Sequence, residues 1–352
     1  TEKLIENIFN ELDSDHQAIV PYHDSKNKLK TSEPLHSVYN KNIIPEIEEL
    51  ISDDILHIKG LIEKIDAKFI LIDNKKLLKK VSDIESDIYI AYTDDGSRCG
   101  VINYVVWSDV YICTECFHEF VYWDVGVDFD KGEAKKIFNC PYCNAEQSTR
   151  SLQRSYETTI DTLTNLPIKI FKQKPVMISY IPSGKKKLQK VWSAGDEKKL
   201  RAITVDDDVL FNFPIVEMPK GDRWHRDAFE DKGVTHLHHF YTKRTIIALA
   251  KILNAIKEGD FDYKERISLL FLFTSFADRN ATKRNRFIIN KYNPQGRVNG
   301  PMTNCLYLPN IFCEMNMLRL MNDKQKDILS ALQSSSFREN NRSIINTGSS
   351  LN

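Results

Sequence analysis

Two CxxC turns, Cys113-Thr-Glu-Cys116 and Cys140-Pro-Tyr-Cys143, stand 23 residues apart and tie the middle of this chain to one geometry. A CxxC turn holds two thiolates on one side of a tight bend with backbone N–H groups close by. Two such turns supply the four soft ligands of a tetrahedral ion. The spacing matches structural zinc sites and predicts two short hairpins folded around one zinc. Four thiolates leave no open position for a substrate, so the predicted zinc is structural rather than catalytic. His118 lies near but is not needed as a ligand.

The other three of the seven cysteines, Cys99, Cys305 and Cys313, are scattered. An odd count with this clustering points to metal binding in a reducing compartment, not to a disulfide framework. A cytoplasmic location is the expectation. It agrees with the absence of any apolar run of the roughly 18–20 residues that a spanning helix needs. Residues 1–10 are charged and lack the shape of a signal peptide. Lys plus Arg and Asp plus Glu each total 49, so only local basic patches can argue for nucleic acid.

Hydropathy patterning predicts an α+β chain in four parts. Residues 1–87 read as mostly helical, with Ile47, Leu50, Ile51, Ile55, Ile58, Ile62 and Ile65 at helical spacing behind Pro45. A second helix is expected over 74–87 and a loop over 23–37. Residues 88–150 form the zinc ribbon, with strands over 102–107 and 120–125 flanking the first CxxC. Residues 151–232 read as a β-rich insert, with strands near 156–160, 168–171 and 176–181, a basic turn at 184–187 and a short helix over 196–202. In 233–352 a helix capped by Thr242 shows one apolar face through Ile246, Ala250, Leu253 and Ile256, and Gly259 follows it. A buried helix is expected over 266–276, a Gly/Pro/Asn-rich loop over 293–301, and a last helix through Leu318, Met321, Ile328 and Leu332.

Other clusters carry weaker signals. In His236-Leu237-His238-His239, alternate residues of a strand would share a face, and a metal hydrolase is one reading. No carboxylate sits at the helical offset of an HExxH site, which favours packing or hydrogen-bonding histidines. Arg279, Lys283, Arg284, Arg286, Lys291 and Arg297 are interleaved with Asn and Tyr donors suited to DNA, against the alternative of a solvated surface. The run Lys185, Lys186, Lys187 and Lys190 reads as solvated surface. No phosphate-binding P-loop and no GxGxxG turn is present.

Several blocks resemble bacterial DNA methyltransferases of the amino-methylating class, which modify adenine N6 or cytosine N4. Gly100-Val-Ile-Asn-Tyr-Val-Val-Trp-Ser-Asp-Val-Tyr-Ile-Cys113, Trp123-Asp124-Val125 and Cys140-Pro-Tyr-Cys143 look like the zinc-ribbon insert of such enzymes. Met218-Pro-Lys-Gly-Asp222 and the stretch from Gly233 to Arg244 resemble the next shared segment. Phe273-Thr274-Ser275, Asn285-Arg286 and Gly300-Pro-Met-Thr-Asn-Cys-Leu-Tyr-Leu-Pro309 follow in order. The likeness covers roughly residues 87–352.

It implies the central, DNA-holding or target-recognition portion of an S-adenosylmethionine-dependent enzyme, from a restriction–modification or phage-defence setting. Double-stranded DNA and the remainder of the methyltransferase core are the implied partners. Two family motifs are missing: the FxGxG cofactor turn, and the tetrapeptide of Asp, Asn or Ser, two prolines and an aromatic that faces the flipped base. No catalytic or cofactor-binding residue is therefore assigned, and the chain alone is expected to be inactive. A non-catalytic zinc-ribbon DNA-binding module is the alternative.

Overall fold

The computed structural model describes residues 75–184, 186–204, 213–226, 229, 232–303 and 305–333, together with 18–22, 38–39, 45, 48–49, 52 and 67–71. Helices and strands both contribute, as an α+β chain requires. The chain divides into two compact units. The described residues of one lie within 1–79, 256–275 and 321–352, and those of the other within 80–255 and 276–320.

In the first unit, strands β1 (Ala18–Tyr22), β2 (Val38–Tyr39) and β3 (Ala67–Leu71) form a sheet in the order β2-β1-β3. β1 runs antiparallel to β2 and parallel to β3, from Ala18 opposite Ala67 to Tyr22 opposite Leu71. Elsewhere in this unit the guanidinium of Arg266 donates to the carbonyls of Ile256 at 2.7 Å and Gly259 at 3.1 Å. Ile256 lies in the last turn of the helix Lys243–Glu258 and Gly259 just past its end, where a cation completes bonds that the helix leaves open.

The second unit is built along one strand. Beside β4 (Ile90–Tyr92), the strand β5 (Arg98–Ile112) runs 15 residues, well beyond the usual 3–10. Its β-branched and aromatic middle has neighbours on both edges, which is why Val105, Val106 and Ser108 are all fully buried. Along β5 lie β4, then β6 (Glu119–Val121), β11 (Gln153–Arg154), β14 (Gln173–Ile181) and β18 (Ile311–Met315), each antiparallel to it. Six further strands precede β11 or follow it in three small hairpins. These are β7 (Val127–Asp128) with β8 (Glu133–Ala134), β9 (Ile137–Asn139) with β10 (Glu146–Ser148), and β12 (Tyr156–Ile160) with β13 (Pro167–Phe171). With β15 (Leu188–Val191), β16 (Arg286–Asn290) and β17 (Asn293–Gly300), the main sheet reads β15-β14-β5-β18-β16-β17.

Several expectations meet a different structure. The stretch 120–125 is strand only to Val121, and Tyr122–Gly126 then forms a helical turn. Its aromatic composition suits either state, and tertiary bonds decide: the Tyr122 hydroxyl donates to the Lys135 carbonyl at 2.8 Å, and the Trp123 N–H donates to Ser108 Oγ at 3.0 Å. The expected loop at 293–301 is instead β17. It lies at the sheet edge, where Pro294 costs no ladder bond, and Gly296 at φ 77° leaves room for the Phe287 ring, which a Cβ would strike at 2.1 Å. The helix expected over 74–87 is two, Lys75–Lys80 and Asp83–Ile88.

Three strands appear in the part expected to be mostly helical. Of the helix expected through Ile47 to Ile65, only 45, 48, 49 and 52 are described, and they are helical. The loop over 23–37 lies outside the described residues. The remaining helices stand as expected. Ala194–Ala202 is capped by Ser193, Lys243–Glu258 by Thr242, and Tyr263–Ala277 and Met317–Gln333 follow. Among the described residues no helix is long and apolar enough to cross a membrane.

Candidate functional site

β5 delivers Cys113 at its end, and the turn 113–118 leads into β6; the second CxxC joins β9 to β10. The two turns have one design. Phe117 N–H donates to the Cys113 carbonyl at 3.2 Å and Asn144 N–H to the Cys140 carbonyl at 3.0 Å. Glu115 N–H reaches Cys113 Sγ and Tyr142 N–H reaches Cys140 Sγ, both at 3.4 Å. Sγ of Cys113 lies 3.6 Å from that of Cys143, and Sγ of Cys116 lies 3.7 Å from that of Cys140. All four sulfurs fall within 4.8 Å of one another, so the cluster can hold a metal ion. Beside it Tyr111, Phe120, Tyr122 and Phe138 pack in tilted and edge-to-face contacts, giving the hairpins an apolar floor.

The electrostatics fit a cation. Backbone N–H groups of Cys116 and Glu115 hold the Cys113 thiol down at about 6. Cys116, despite a backbone N–H from His118, is pushed up to about 12 by burial and by its three neighbouring thiols. Such a set shares protons when empty and gives them up to a divalent ion.

A second cluster joins residues 77 apart in sequence. His236 makes only a bridge to Glu217, and Leu237–Phe240 forms a 3-10 turn, so the expected strand face of His236 and His238 is not formed. Instead His238 Nε2 lies 2.9 Å from Asp161 Oδ2, and His239 Nε2 contacts the same oxygen. Asp161 Oδ1 accepts from the backbone N–H groups of Leu163 and Thr164, each at 2.8 Å. These bonds, against the cost of burial, hold its carboxyl well below the usual range. Burial pushes His238 down and His239 to about 4, so both imidazoles are neutral near pH 7.

The ligand atoms of this cluster also lie within 4.8 Å of one another. The tautomers argue against a metal there. A metal-ligating imidazole donates its other N–H to an acceptor. Yet His239 Nδ1 accepts the Thr235 N–H at 3.0 Å, and buried His238 Nδ1 has no partner among the described residues. The arrangement is that of two neutral imidazoles donating Nε2–H to one carboxylate. Asp161 escaped the sequence reading because its partners are remote in sequence; only its place in a turn between two strands was local.

Asp161, His238 and His239 line a cavity of about 560 Å³ together with Trp107, Phe171 and Lys283. Arg154 and Asp109 form a charged pair at 3.0 Å on its wall. The six basic residues from 279 to 297 therefore separate. Lys283 faces the cavity. Arg284 donates to the Cys305 carbonyl at 3.0 Å and pairs with Asp278, and Arg286 donates to the Gly300 carbonyl at 3.0 Å. Arg279, Lys291 and Arg297 are exposed. Of the other lysine run, Lys190 pairs with buried Asp196 and Lys187 lies over the Tyr104 ring, while Lys185 falls outside the described residues. No protein-family model, no curated protein and no solved structure matches the chain.

Proposed function

We propose that this chain is the DNA-holding portion of an S-adenosylmethionine-dependent DNA methyltransferase of the amino-methylating class, and that its four-cysteine cluster carries zinc as a structural ion. The observation that carries the reading is the hairpin of β16 and β17. It presents Lys291 and Arg297, exposed and without an ion-pair partner among the described residues, beside Tyr292, which is 79% exposed. Lys291 lies 4.9 Å from the Tyr292 ring centroid, so the hairpin tip offers cation and ring together.

Two of the family-like blocks also share one sheet, since β5 and β16 both pair with β18. Every pairing in that sheet is antiparallel, unlike the parallel sheets whose strand ends cradle nucleotide-type cofactors. On this reading S-adenosylmethionine and the transfer step belong to the remainder of the core. Double-stranded DNA is the partner, in a restriction–modification or phage-defence setting, and a zinc site of four cysteines suits a reducing cytoplasm.

Duplex affinity measured at several salt concentrations tests it. If Arg279, Lys291 and Arg297 meet phosphates, each contributes about −0.9 to the salt slope. Replacing all three with Ala should flatten the slope by roughly two to three units and weaken all sequences alike. Equal slopes and affinities would leave these cations as guards of an exposed sheet edge and would remove the DNA-holding reading.

A further inference from the structure

The cavity beside Asp161 has a feature that the DNA-holding reading does not use. Lys283 reaches its wall from the segment between the helix Tyr263–Ala277 and β16, anchored by its N–H to the Phe240 carbonyl at 2.7 Å. Its ammonium has neither hydrogen bond nor ion pair among the described residues, although Lys283 is half-buried and desolvation presses its ammonium down to about 8. The ammonium thus faces the cavity partly stripped of water and without a direct counter-charge, a position that a bound anion would relieve.

The charged groups around Lys283 are otherwise accounted for. Asp109 on β5 is held by Arg154 at 3.0 Å and Gln173 at 2.8 Å. Glu314 on β18 takes the Trp107 indole N–H at 2.7 Å and lies 3.3 Å from Arg244. Asp161 is taken by two imidazoles and two backbone N–H groups. Glu157 on β12 is exposed. Across the lining, Arg154, Lys232, Lys243 and Lys283 stand against Asp109, Glu157 and Asp161, one cation in excess with the histidines neutral.

A second observation points the same way. Thr242, Lys243 and Ile246, from the first turn of the 16-residue helix Lys243–Glu258, line this cavity. A helix N-terminus attracts anions through its open N–H groups and its dipole. Much of the remaining wall is apolar or aromatic, including Trp107, Phe171, Tyr241 and Phe312, with Thr159, Asn165 and Gln173 as polar groups among them. The volume falls within the range of small-molecule sites, roughly 300–1,000 Å³.

We propose that this cavity binds a small organic anion, a planar apolar body bearing one phosphate or carboxylate, with the anionic group against Lys283 and the first turn of the helix Lys243–Glu258. A nucleoside monophosphate has this size and chemistry. The site is independent of the duplex-holding hairpin, because Lys291 and Arg297 do not line the cavity.

The test is calorimetric titration of the whole chain with deoxyadenosine 5′-monophosphate and with phenyl phosphate, using deoxyadenosine as the uncharged control. At least one anion should bind saturably, more tightly than deoxyadenosine. Lys283→Met should lose about tenfold or more in affinity for it, and Lys283→Arg should keep most. Binding by the wild type should weaken as pH rises through about 8, where the ammonium is lost, and the Met variant should lack that dependence. Circular dichroism shows whether each variant is folded. Absence of saturable binding by both anions up to millimolar concentration, or equal affinities in wild type and the folded Met variant, overturns the proposal.

Discussion

Phe117 and Asn144 occupy the same place in the two CxxC turns, each four residues past the first cysteine of its pair, with φ of 60° and 61°. Each sends its N–H back to that cysteine's carbonyl, which requires the left-handed conformation. Asn adopts it readily. A bulky residue does so at a cost of about 1–2 kcal/mol. Phe117 is 76% exposed, so packing offsets little of that. Phe117→Asn should raise stability by about 0.5–1 kcal/mol without loss of metal, measured by urea unfolding of the metal-bound protein. A lower midpoint would mean that the ring makes a contact its exposure does not suggest.

Metal content should be one zinc per chain. Cys140→Ser should abolish it and loosen both hairpins, because metal binding and the folding of such a site are one event. His239→Gln should leave the count unchanged, since its Nδ1 is committed to a backbone donor. Elemental analysis of protein purified without chelator decides, and two ions per chain would return the Asp161 cluster to the list of metal sites.

Asp161→Asn puts amide hydrogens where two imidazole N–H groups need an acceptor. Loss of these bonds to a charged group should cost about 2–3 kcal/mol, read from denaturant midpoints at an unchanged slope. The same cluster predicts acid sensitivity. Burial holds His239 at about 4 and lowers His238, whereas in the unfolded chain histidine takes up its proton near about 6.5. Between those values the unfolded state binds more protons, so stability should fall as pH drops from about 6.5 towards 4. Asp161 stays ionised across that window. The His239→Gln variant should lose much of the dependence.

Lys283→Met should stabilise the free protein, by about 1 kcal/mol at pH 7, because it removes a half-buried charge that lacks a direct partner among the described residues. The sign follows from its lowered value. Below about 8 the folded state carries the strained ammonium, and above it that state sheds the proton more readily than the unfolded chain does. The advantage of the variant should therefore shrink as pH rises past 8, and thermal melts across pH 7–9.5 measure it.

The metal cluster was legible in the sequence because CxxC is a local signal, two ligands in one turn, and only the meeting of the two turns had to be supplied by the fold. Helices with one apolar face, such as Lys243–Glu258, were legible for the same reason: period and cap are local. Strand composition placed β12, β13 and β14 but not the end of β6, where bonds from Tyr122 and Trp123 to distant residues turned an aromatic run into a helical turn. Nor did it place β17, whose Pro and Gly are tolerated only because the strand lies at an edge. The basic run from Arg279 to Arg297 was visible as charge. Burial then divided it, because β16 and its neighbours turn Lys283 to a cavity and bind Arg284 and Arg286 to carbonyls, leaving Arg279, Lys291 and Arg297 in water. Chain order fixed which groups this protein owns. Which of them meet, as Asp161 meets His238, depended on long-range pairing along β5, since contacts across 77 residues leave no period in the sequence.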